Sequence, residues 1–98
     1  MPALSVRVEN VLRKLFPTEA AGVRRILLDD CGENLPLAQG AAHIERIQLG
    51  VLKMSAGDID RLLGAVRMAQ TDWRDVLMNS DFANDLQAHL RWADEIGA

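Results

Sequence analysis

Asp58, Asp60, Asp72, Asp75 and Asp81 crowd a short span of this chain. Paired carboxylates can hold Mg²⁺ or do general acid–base work, so these positions are the first to weigh for chemistry. Asp58 and Asp72, however, stand where a helix start favours an acid, and Asp81 precedes a further helical stripe. Asp75 follows Arg74, and adjacent helix residues do not face each other. Helix caps and solvated surface account for all of these acids.

His43 and His89 lie far apart in the chain, each among positions expected in a core. Both read as hydrogen-bonded structural histidines. A shared metal site would need a third ligand, and Cys31 falls on a different helical stripe, in line with Ala20, Leu27 and Leu28. Cys31 is the only cysteine, so no internal disulfide can form. It reads as a small buried apolar residue in a reducing compartment. There is no G-x-G-x-x-G, Walker-type loop, C-x-x-C or H-E-x-x-H, and no set of residues for a nucleophile relay. No catalytic, cofactor-binding or metal-binding residue is assigned, and no cofactor is expected.

The elements that must position any site are helices. His43 to Leu77 is the densest apolar stretch and reads as three helices in succession. In the first, about Ala41 to Ser55, Ile44, Ile47, Val51, Leu52 and Met54 share one arc at 100° per residue, widened by Leu49. Arg46, Gly50 and Lys53 hold the opposite side. Gly57 offers a left-handed stop and Asp58 the next cap. Ile59, Leu62, Leu63, Val66 and Ala69 then recur at helical spacing, with Arg61, Gly64 and Met68 outside. Thr71 is a third helix start, followed by an inward stripe of Trp73, Val76 and Leu77.

Upstream, Leu4, Val8, Val11, Leu12 and Leu15 share a face, with Ser5 as cap, Val6 on the wrong side and Pro17 as terminator. Thr18 is a candidate cap for a second helix, lined by Val23, Ile26, Leu27, Leu28 and Cys31 and stopped by Gly32. Residues 33–40, ENLPLAQG, form the linker, from which Leu35 and Leu37 can pack back. Downstream, Phe82, Leu86, His89, Leu90 and Ala93 form a last stripe. The expected architecture is an all-α single domain over residues 1–98, a bundle of five to six short helices. It divides into an N-terminal helical hairpin at 4–32, the linker at 33–40 and a C-terminal helical core at 41–96.

Composition narrows the function classes. A length of 98 residues allows one modest core, so a dimer would add useful burial. Aromatic residues are only 4% with no Tyr, a poor supply for stacking surfaces. A net charge of -3 argues against unspecific nucleic-acid binding, which relies on Lys and Arg. A helix-turn-helix over Asp58 to Met78 would present TDWRDVLMNS as its reading helix, with two aspartates against one arginine, a poor DNA reader. No signal sequence or membrane span is read in the chain, and a cytoplasmic location is expected.

The block RIQLGVLKMSAGDIDRLLGAVRMAQTDWRDVL resembles an uncharacterised family of small helical bacterial proteins with no assigned function. Its pattern is R-h-x-L-x-h-L-K-h-S-x-G-D-h-x-x-L, where h is apolar, then A-x-x-D-[WY]-R-D-h-L. Arg46, Leu49, Leu52, Lys53, Ser55, Gly57, Asp58 and Leu62 match the first part; Ala69, Asp72, Trp73, Arg74, Asp75 and Leu77 match the second. About a third of the chain is covered strongly. Relatives favour Ala at the Gly50 position, and the departure is expected to weaken that helix by up to ~1 kcal/mol. The resemblance implies a bacterial, soluble, helical protein and supplies no activity, ligand or partner.

The function this supports is a non-enzymatic protein-interaction or regulatory module acting on an unidentified protein partner. The alternatives are a small enzyme of unrecognised type and a helix-turn-helix-like DNA-binding protein. Arg46 and Lys53 lie seven apart, on one side of a helix, and could meet Asp72 or Asp75 if the helices pack antiparallel. Arg46, Lys53, Asp72, Arg74 and Asp75 therefore form the candidate interaction patch. Leu49 and Met68, outside their main apolar arcs, suggest surplus apolar surface and hence a homodimer or a contact with another protein.

Overall fold

Ser5 opens the first helix: its hydroxyl accepts from the Val8 amide at 3.1 Å, and α1 runs Val6–Leu15. In the computed structural model, which describes residues 3–36 and 39–97, four more helices follow: α2 (Ala20–Asp30), α3 (Ala41–Ser55), α4 (Ile59–Asn79) and α5 (Ala88–Gly97). No strand occurs among the described residues. Val6 faces solvent, 77% exposed, as its phase predicts. Thr18 does not cap α2; the chain turns through Phe16 and Glu19, and Glu19 takes the cap position without a side-chain bond. Leu37 lies outside the described residues, whereas Leu35 packs into the core.

α3 is the centre of the bundle. Ile47 through Leu52 are all buried, polar Gln48 included, because α1, α4 and α5 each pack against it. A helix covered on every side has no solvent face to spare. The expectation that Leu49 carries surplus surface is therefore corrected: it is fully buried, and Met68 is half-buried. α1 packs more extensively on α5 than on its hairpin mate α2, a pairing that no local pattern announces.

The α3–α4 turn follows the sequence closely. Ala56 and Gly57 both take positive φ, 49° and 81°, and Asp58 accepts from the Arg61 amide at 3.0 Å to start α4. The expected third helix start moves by one residue. Thr71 donates its hydroxyl back to the Arg67 carbonyl at 3.0 Å, a bond that bends helices. Asp72 leaves helical geometry (φ -160°, ψ 100°) and accepts from the Arg74 amide at 3.1 Å. Asp58 thus caps one helical segment and Asp72 the next, and the two follow each other directly across the kink with no open turn between them.

α4 ends in a Schellman motif. The Phe82 amide donates to the Leu77 carbonyl at 2.8 Å and the Asp81 amide to Met78 at 3.2 Å, with Asp81 left-handed at φ 65°. This corrects the last stripe. Phe82 is buried from the turn after α4 and not from a helix, and Leu86 is 70% exposed.

Candidate interaction surface

Arg46, Gly50 and Lys53 form one polar stripe on α3, and that stripe faces the C-terminal end of α4. The Lys53 ammonium donates to the Ser80 carbonyl at 2.8 Å and lies 5.0 Å from the Phe82 ring centroid. The Arg46 guanidinium donates to the Phe82 carbonyl, and more loosely to Ala83 at 3.3 Å. A helix ends with carbonyls that lack intrahelical partners and a partial negative charge. Two cations on the neighbouring helix supply both donors and opposite charge. Between them, a Cβ at Gly50 would come within 2.9 Å of Val76 Cγ1 and 3.1 Å of Ser80 Oγ. The absent side chain lets α4 approach. Gly50 therefore faces inward, which corrects its placement on an outer side.

The proposed pairing of Arg46 and Lys53 with Asp72 or Asp75 does not occur. Asp72 instead pairs with Arg74, its two oxygens accepting from Nε and Nη2 at 2.9 Å each. The bonded Arg74 holds the Asp72 carboxyl below its usual range, and Asp72 holds the Arg74 guanidinium above its own. Asp75 is exposed, and its backbone carbonyl accepts from the Asn79 side chain at 2.8 Å. The five candidate residues thus split into a structural pair, Arg46 and Lys53, and a surface group, Asp72, Arg74 and Asp75.

Trp73 is half-buried, with His43 edge-on at 4.3 Å and its indole N–H donating to the Pro36 carbonyl at 3.0 Å. It fastens the linker to α4 and is less enclosed than its stripe implied. Beside it opens a cleft of about 550 Å³ between the second half of α4 and the 81–84 turn. Arg46, Trp73, Arg74, Leu77 and Met78 line it. Met78, which the sequence placed in a polar break, is 66% exposed at this cleft. Continuing the helical phase of Trp73, Val76, Leu77 and Ser80 past Leu77 would have found it.

No family model, curated protein or solved structure matches the chain, in keeping with an uncharacterised family.

A larger cleft, about 750 Å³, lies where Leu28, Ile44 and Gln48 meet. Of its three acids, Asp29 and Glu45 are already paired with Arg25 and Arg7, at 3.5 and 3.6 Å, and Glu33 is exposed at the rim; Gln48 donates to the Cys31 carbonyl at 2.9 Å. Cys31 itself is buried, and burial pushes its thiol up to about 12, the behaviour of a core residue rather than a nucleophile. His43 accepts from the Gln39 amide at 2.9 Å, and burial lowers its pKa. Among the described residues, no three His, Cys, Asp or Glu side chains converge as a metal set, and no helix is long and apolar enough to cross a membrane.

Proposed function

We propose that this protein is a non-enzymatic interaction module that receives a segment of a partner protein in the cleft beside Met78. The observation that carries the reading is Met78 itself: a flexible apolar side chain, 66% exposed, set between the Trp73–Leu77 wall and two arginines. Methionine adapts to varied apolar partners, and Arg74, exposed and paired only with nearby Asp72, can exchange that carboxylate for one on the partner. The partner segment that fits is an apolar side chain flanked by an acid. The resemblance of the Arg46–Leu77 block to small bacterial proteins, together with one unpaired buried cysteine, supports a bacterial cytoplasmic setting.

A photo-crosslinking residue at position 78 tests this, with position 63 as a control on the other half of α4. A discrete product from position 78, lost when Arg74→Glu is added, is expected. A product at twice the chain's own mass would identify the partner as a second copy. Equal yields from both positions, or no effect of Arg74→Glu, would overturn the assignment of this cleft.

A further inference from the structure

His89 is the second residue of α5, only 7% exposed, and its Nδ1 is buried without a hydrogen-bond partner. A neutral imidazole carries one N–H, whereas an imidazolium donates from both nitrogens. Protonation would therefore strand either an N–H or a charge inside the protein. The surroundings offer little relief. Arg46 and Glu45 face His89 from α3, Arg7 from α1 and Asp85 from the turn before α5. Glu45 and Arg7 pair with each other at 3.6 Å, and Asp85 is taken by Arg91. Arg46 remains, a cation with its own buried unpartnered Nε. The first turn of a helix is also the positive end of its dipole.

α5, which carries His89, docks mainly on α1 and less on α3. Only His89 and Ala93 of this helix are buried, with Ala88, Trp92 and Ile96 half-buried against the core. The turn before it is tied down by Phe82, by its 6.0 Å ring contacts with His89 and Trp92, and by the Arg46 bonds to Phe82 and Ala83. The rest of the apolar core belongs to α1 to α4 and the segments that join them. Segments with few buried apolar contacts open locally before the whole protein unfolds.

We propose that residues 82–97 form an acid-released latch, docked on α1 and α3 while His89 is neutral and let go when His89 takes up a proton. Release would uncover Phe82 and Ala93 and free the Arg46 guanidinium. Burial, and then Arg46, lower the pKa of docked His89 below its ordinary 6.5. The released segment thus binds more protons in that range. Docking is at full strength above about 6.5 and weakens as pH falls from there toward the docked value. Glu9, Asp72 and Asp85, all held below ordinary values of 4.5 and 3.8, act only at lower pH. His43 titrates in the same direction, but at α3's exposed start and against the Gln39 amide.

Amide-exchange protection factors of the intact chain at about pH 7.5 and about pH 5.5 test the latch. The expected result is a loss of several-fold, about tenfold at most for a single histidine, at Trp92 and Ala93, with Val51 and Leu52 unchanged, and no such loss in His89→Gln. Unchanged protection at Trp92 and Ala93 in the parent chain overturns the proposal, as does an equal loss in His89→Gln. If that variant does not fold, an NMR titration of the parent decides. A His89 midpoint at or above 6.5 with α5 still protected overturns the latch, and a lower midpoint coinciding with the loss of protection supports it.

Discussion

Lys53 and Ser80, 27 residues apart, are joined by a 2.8 Å hydrogen bond from the ammonium to the backbone carbonyl. The bond ends one helix with a charge borrowed from another. Arg46, seven residues before Lys53, does the same for Phe82. Arg46 and Lys53, the cations of the α3 stripe, are therefore spent on holding the end of α4 and the turn after it.

Lys53→Met should lower stability by ~1–2 kcal/mol, since it removes a charged donor from a part-buried carbonyl. Asp75→Ala, at an exposed carboxylate outside that contact, should stay within ~0.5 kcal/mol. Urea titrations of the two variants check the contrast. Equal, small effects would mean that water satisfies the Ser80 carbonyl as well as Lys53 does.

Gly50→Ala should destabilise the protein despite the better helix propensity of alanine. Propensity favours alanine by ~1 kcal/mol, but the new Cβ would lie 2.9 Å from Val76 Cγ1. Val76 is β-branched and buried, so it has little room to turn away. Overpacking of this kind costs ~1–3 kcal/mol, and a net loss of about 1 kcal/mol is expected in thermal melts. A higher Tm for the variant would show that α4 can shift at no cost.

Asp81 invites a paired test. Its φ of 65° is a conformation that Gly adopts freely and Asp tolerates better than Ala. Asp81→Gly should stabilise by roughly 0.5 kcal/mol, helped by removal of a negative charge from the negative end of α4. Asp81→Ala should shift stability the other way by a similar amount. The opposite signs, read from chemical denaturation midpoints, are the check; two changes of one sign would mean that charge and not backbone geometry governs the site.

Much of this protein is set by neighbours in the chain, and for that reason was legible there. The Ser5 and Asp58 caps, the left-handed Gly57 and the Pro17 stop depend on bonds and sterics within a few residues, so the local sequence suffices. The apolar arcs of α1, α3 and α4 follow from a fixed period of 3.6 residues. All-α architecture is the consequence.

Only the packed structure decided what the polar stripe of α3 is for. On a helical wheel Arg46, Gly50 and Lys53 look like a solvent face, because a wheel knows one helix and not its surroundings. With α1, α4 and α5 all packed on α3, Gly50 is buried and Arg46 and Lys53 only half-exposed, and these cations meet carbonyls instead of carboxylates. The Asp72 side chain then found Arg74, two residues away, rather than a distant cation, since the kink it caps brings the two together. The unpartnered nitrogen of His89 has the same origin. It follows from how the 81–84 turn and α5 fold back on the bundle, and a period along the chain carries no record of that long-range contact.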